Sequence, residues 1–294
     1  MNSEAPAATP AAPQSPDAQS PDAQTPDAPP PTAPRGSLLR SSVLAFLTGV
    51  AINVFLHESS HSVAGALMGY RPTQVPFAVE YRPDPTTADQ ALGAITGPIF
   101  SVVSGLIGVL VDRLVRPFRH HPYLRLVWLW TVFCSLQEGV GYFCITAIIP
   151  AGDTGSAFNA WNLPVWAFMV ATAAGIGGQF LAAYLFSEPM AKLTSTMQER
   201  RTIAFHTWIF GTIGAIVLTV IYLLLTPGID IGSIIGVVAG TIACGVFAPM
   251  SMMFRTRRTE AERPFEIPRL PLGGVIAMIL IIAFNLFLTR GLLY

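Results

Sequence analysis

Hydrophobic positions in this chain run in long unbroken stretches. After a polar beginning, apolar residues dominate residues 38–67, 91–114, 124–149, 163–186, 203–225, 229–249 and 272–289. Each stretch is long enough to cross a hydrocarbon core of about 30 Å as a helix. The pattern predicts an all-α fold, a polytopic bundle of about seven transmembrane helices. Thr226-Pro227-Gly228 is the only break between the fifth and sixth stretches and predicts a tight hairpin. In the sixth, Gly232, Gly236 and Gly240 recur every four residues, a small-residue face suited to close helix packing.

Residues 1–36 are a different polymer. They consist largely of Pro, Ala, Ser, Asp and Gln, with a near-repeat of SPDAQ over residues 15–29. Such a segment has too little apolar surface to offset the entropy of ordering, and a disordered tail is expected. It lacks the basic and short apolar regions of a cleavable signal peptide, so the first span is expected to act as an uncleaved anchor. The expected organisation is a tail (1–36), a membrane core carrying the chemistry (37–162) and a C-terminal set of transmembrane helices (163–294).

Composition agrees. Charged residues make up 12% of the chain and the mean hydropathy is +0.53, whereas a water-soluble domain carries about 25% charged residues. The formal net charge is zero, which gives no sign of nucleic-acid binding. Cys134, Cys144 and Cys244 lie in apolar stretches without CxxC spacing and read as small buried hydrophobes. One lysine among 17 basic residues, with abundant Ala and Pro, fits a GC-rich bacterial genome and hence a bacterial cytoplasmic membrane. If seven spans alternate, fourteen of the basic residues fall on one side and only Arg71, Arg82 and Arg290 on the other. By the positive-inside rule the N-terminus is cytoplasmic and the C-terminus external.

Within the first apolar stretch stands His57-Glu58-Ser59-Ser60-His61. Histidines four apart share a helix face with a rise of roughly 6 Å, so both imidazoles can reach one zinc ion. The intervening Glu58 can act as general base on a metal-bound water. Ionisable groups at membrane depth are functional candidates by default. Zinc needs a third protein ligand. His120 and His121 lie in an Arg-rich loop and are read as solvated; His206 is the other remaining histidine. Asp153, after the third span, is expected on the same membrane side as His57 and His61. Glu138, beside Gln137 in the middle of the third span, is the alternative: a third ligand, a group orienting an imidazole, or a structural glutamate. Counted along a continuous helix, Glu138 and Asp153 stand roughly 22 Å apart, too far for both to reach one zinc.

Taken in order, His57-Glu58-x-x-His61, Gly97-Pro98 and Asp153 resemble the site-2 protease family of intramembrane zinc metalloproteases, over residues 43–160. Two departures stand out: the order is Gly152-Asp153-Thr154 where the family has Asp followed by Gly, and Ser101 stands near the place of an Asn that often follows Gly-Pro. The resemblance implies zinc held by His57, His61 and Asp153, Glu58 as catalytic base, and a membrane-embedded protein or peptide substrate in the lipid bilayer. Asn159 and Asn162 become candidates to polarise the scissile carbonyl. The stretch Val75–Tyr81 alternates like a strand around Pro76, either a hairpin offering an edge to an extended substrate or a plain surface loop. Two alternatives stay open. One is a non-catalytic membrane scaffold or regulator that keeps the zinc site. The other is a different membrane HExxH protease, for which Glu138 or Glu188 would serve as third ligand.

Overall fold

The computed structural model describes residues 35–149, 152–228, 237–238, 240–243, 245–254 and 271–294. The expected disordered tail up to residue 34, residues 229–236 of the expected sixth span with Gly232 and Gly236 of its glycine face, and Cys244 lie outside these residues.

The described residues include seven α-helices, a 3-10 helix at Ala248–Met253 and three short strands. Helix α1 (Arg35–Leu67) has no proline along its 33 residues. It ends where Gly69 takes a left-handed φ of 90° and the Tyr70 amide closes on the Gly65 carbonyl at 3.0 Å, a glycine-capped stop. Strands β1 (Arg71–Val75) and β2 (Ala78–Arg82) then pair antiparallel with Val75 opposite Ala78, which leaves Pro76 and Phe77 as a two-residue turn. The proline that interrupts the alternating pattern thus sits outside both strands, where its missing N–H costs no ladder bond. The last strand, β3 (Leu292–Leu293), adds to the other edge of β1 with Leu293 opposite Thr73, giving the order β2-β1-β3. The expected all-α fold therefore carries a small sheet. A two-residue pairing with a segment more than 200 residues away leaves no local signal.

Helix α2 (Thr87–Leu114) is capped by Thr86, whose hydroxyl accepts the Asp89 amide at 3.2 Å. There follow α3 (Pro122–Ile145), the short α4 (Asp153–Ala160), α5 (Val165–Lys192), α6 (Met197–Leu225, with a π-turn at Thr202–His206) and α7 (Leu272–Leu288). Among the described residues, four helices are long and apolar enough to cross a membrane: α1, counted from Ser37, α2, α5 and α6. They coincide with the first, second, fourth and fifth expected spans and mark an integral membrane protein. Seven spans are not established. α3 has the length, at 24 residues, but Gln137 and Glu138 dilute its hydropathy. α7 has 17 residues and measures about 26 Å.

α3 is the inner helix, packed by α1, α2 and α5. Its Trp130 and Phe133 are buried to 1% exposure or less, Trp130 edge-on to Phe46 at 4.9 Å and Phe133 against Phe186 at 4.5 Å. Lipid tails are as apolar as these side chains, so close packing has to hold the helices together. At Gly175, α5 meets the α3 backbone so closely that a Cβ would stand 2.5 Å from Cys144 Cα. Val103, Ile107 and Leu110 on α2 and Val170 and Phe180 on α5 face outward, the surface a bilayer requires.

Candidate metal centre

His57 and His61 project from one face of α1 with 1% and 7% exposure. Asp153, the first residue of α4, arrives from the other side. His57 Nε2 lies 3.2 Å from His61 Nε2 and 3.1 Å from Asp153 Oδ2, and His61 Nε2 lies 3.4 Å from the same oxygen. Around a tetrahedral ion with bonds of about 2.0–2.1 Å, ligand atoms stand about 3.3–3.4 Å apart. The three atoms are thus close to the base of a tetrahedron. Among the described residues this is the one His/Cys/Asp/Glu group able to hold a metal ion.

Second contacts settle which nitrogen of each ring faces the cluster. His61 Nδ1 donates to the Gly93 carbonyl at 2.7 Å. His57 Nδ1 lies 3.0 Å from Ser101 Oγ and 3.2 Å from Glu138 Oε2. Ser101 gives its own proton to Glu138 at 2.9 Å, and Asn53 Nδ2 donates to the same carboxylate oxygen at 2.9 Å. The neutral form of each ring therefore turns a bare Nε2 lone pair inward. Two lone pairs and a carboxylate oxygen at such separations repel unless a cation lies among them. Burial would raise the Asp153 carboxyl, and where the two imidazoles carry protons their hydrogen bonds and charge outweigh it and hold the carboxyl well below the usual carboxylate range. Asp153 is an anionic donor, and its 29% side-chain exposure makes it the open side of the cluster.

Glu138 corrects the estimate made along a continuous helix. α3 stops at Ile145 and the chain turns back, so Glu138 and Asp153 flank opposite nitrogens of the same imidazole, at 3.2 and 3.1 Å. Of its three possible roles, Glu138 takes that of orienting His57. Glu188 pairs with Lys192 at 2.7 Å, at the far end of α5.

No protein-family model, curated protein or solved structure matches this chain.

Local structure explains how each group is held. Gly97 lies under both rings; a Cβ there would be 2.6 Å from His57 Nε2 and would also collide with His61 Nε2. The Gly-Pro element thus gives α2 the clearance to pass beneath the imidazoles. Tyr142 stacks on His57 with centroids 5.2 Å apart and planes 12° apart. Tyr81 reaches from β2 between Gly65 and Gly93 to donate to the His61 carbonyl at 2.9 Å. Burial and the nearby Glu58 and Asp153 carboxylates push its hydroxyl up to about 12, so it remains a donor at any ordinary pH.

Thr154 anchors the start of α4. Its hydroxyl meets Thr146 Oγ1 at 2.7 Å and donates to the Tyr142 carbonyl at 2.7 Å. The residue after Asp153, a glycine in the resembled pattern, is here the clamp that sets the aspartate. Ala157, with no exposure, seats the rest of α4 against Ala91 and Ile95 of α2. Glu58 follows His57 on α1 with 8% exposure, close enough for the charges of His57, His61 and Asp153 to act on it.

Other candidates lie elsewhere. Asn159 and Asn162 are exposed at the end of α4, where Asn162 takes a left-handed φ of 52° to turn the chain. His120 is exposed and accepts from Arg119 at 2.9 Å, His121 precedes α3 and His206 ends the π-turn. The groups that sequence reading passed over are Asn53, the Gly93 carbonyl, Tyr142, Thr146 and Thr154. Only Asn53 had a signal: it precedes His57 by four residues, so Asn53, His57 and His61 form one polar stripe on an apolar helix.

Proposed function

We propose that this chain is an intramembrane zinc metalloprotease of the site-2 protease type, cleaving a peptide bond in a membrane-embedded substrate. The supporting observation is the convergence of three inward-facing donors, His57 Nε2, His61 Nε2 and Asp153 Oδ2, within 3.4 Å of one another. Two imidazoles and one carboxylate, with room for a fourth ligand, are a donor set suited to catalytic zinc. Bound there, zinc would lower the pKa of a coordinated water towards neutrality and polarise a carbonyl.

The chain's own residues do the rest. Glu58 takes the proton of the attacking water and returns it to the leaving amine, so one water is consumed and the carboxylate is regenerated. Glu138, with Asn53 and Ser101, keeps His57 Nε2 pointed at the metal. The half-open side at Asp153 admits water, which the surrounding apolar helices otherwise exclude. The outer edge of β2, unpaired among the described residues, suits an extended substrate strand. The protein sits in a bacterial cytoplasmic membrane with its N-terminus inside.

The test uses purified full-length protein, with zinc measured per chain and cleavage of a transmembrane reporter followed. Glu58→Gln should keep its zinc and lose cleavage. His57→Ala and Asp153→Ala should lose both. Zinc retained by Asp153→Ala but lost by Glu138→Ala would overturn the ligand set. Zinc bound without cleavage of any reporter would favour a non-catalytic zinc protein.

A further inference from the structure

Glu138 and Tyr142 stand four residues apart on α3, so they share one face of that helix. The face is turned to His57. Glu138 meets the Nδ1 edge of the imidazole at 3.2 Å, and Tyr142 lies flat against the ring, with planes 12° apart. The Tyr142 carbonyl accepts two hydroxyls, Thr146 at 2.8 Å and Thr154 at 2.7 Å, so the start of α4 is tied to the same residue. The ring passes beside Gly152, where a Cβ would lie 3.8 Å from Tyr142 Cδ1. Its hydroxyl comes close enough to the Asp153 carboxylate to donate a hydrogen bond to it.

Of the three inward donors, His57 has Glu138 behind it and His61 has the Gly93 carbonyl. Asp153 turns Oδ2 to both imidazoles. With 29% of its side chain exposed, the carboxylate can rotate in water unless its other side is held. Ordering it on metal binding costs rotamer entropy, and a fixed outer hydrogen bond removes that cost beforehand. The phenol of Tyr142 is suited to this. Its ring cannot swing away without leaving His57, and its hydroxyl is a donor throughout the neutral range.

On the metal-binding reading proposed above, we infer that Tyr142 is the positioning residue for Asp153, holding the carboxylate so that Oδ2 faces the two Nε2 atoms. One side chain thereby fixes two donors, the plane of His57 with its ring and the carboxylate of Asp153 with its hydroxyl. A side chain that only filled space against His57 would serve equally well as phenylalanine.

Tyr142→Phe in the purified full chain separates the two roles. Chelator competition gives the zinc affinity, and the visible absorption of the cobalt(II) form reports the coordination geometry. The variant should melt near the wild type when metal-free, bind zinc roughly 10- to 100-fold more weakly and show a changed cobalt spectrum. Affinity and spectrum equal to the wild type would overturn the assignment while leaving the metal site standing. Weaker binding with an unchanged cobalt spectrum and a lowered metal-free melting temperature would overturn it too, as a general loss of fold. A wild type that takes up neither zinc nor cobalt would overturn the metal reading itself, and the assignment with it.

Discussion

At the scale of single residues, the centre separates groups placed so that they could hold a metal from groups that aim them. His57, His61 and Asp153 supply the inward atoms, whereas Glu138 touches His57 on its outer nitrogen at 3.2 Å. Glu138→Gln should therefore weaken zinc affinity by roughly 10- to 100-fold, the usual cost of losing an outer carboxylate. Competition with a calibrated chelator measures it, and stoichiometric zinc should still bind at saturation. Gly97→Ala places a methyl group 2.6 Å from His57 Nε2. Zinc binding should fall below detection while the helical circular-dichroism signal persists, because the collision is with ring atoms. Glu58→Gln, by contrast, should keep zinc and lose about 10²-fold or more in cleavage rate, the contribution of a positioned general base.

At the scale of elements, Asp153 is useful only because α4 begins where it does. The Thr146–Thr154 contact and both bonds to the Tyr142 carbonyl tie that start to the end of α3. Thr154→Val keeps the shape and removes the hydroxyl. It should cost about 1 kcal/mol of stability, the net worth of a buried hydrogen bond, since Thr146 still bonds the Tyr142 carbonyl, and it should also weaken zinc binding, measured by the same competition. A similar tie joins sheet to helix at Gln74, which is fully buried. Its Oε1 accepts from Ser62 at 3.2 Å and from Tyr294 at 2.8 Å, linking β1 to α1 and to the residue after β3. The strand-like alternation of residues 75–81 was legible in the sequence. Where the turn would fall was not, because Pro76 reads equally as an edge residue or a loop.

For the whole molecule, α1 brings two donors and α4 the third, with α2 and α3 holding them from outside. A bound ion would thus cross-link elements distant in sequence. At zinc a thousandfold above its dissociation constant, stabilisation by about 4 kcal/mol is expected. Chelation should lower the melting temperature of the wild type and leave that of His57→Ala unmoved, as differential scanning fluorimetry in detergent can check. The long apolar stretches made a membrane protein legible from the sequence, since burial in lipid demands composition before any contact forms. Residues 57–61 likewise exposed their chemistry, because helical periodicity alone puts two imidazoles on one face. The spacing of Glu138 and Asp153 misled for a physical reason: rise per residue predicts distance only while a helix continues, and α3 ends at Ile145. Which nitrogen of each ring turns inward, which carboxylate meets it, and how Gly97 makes room were decided by tertiary structure alone. Those facts depend on where α2, α3 and α4 stand around α1, and no local pattern encodes that.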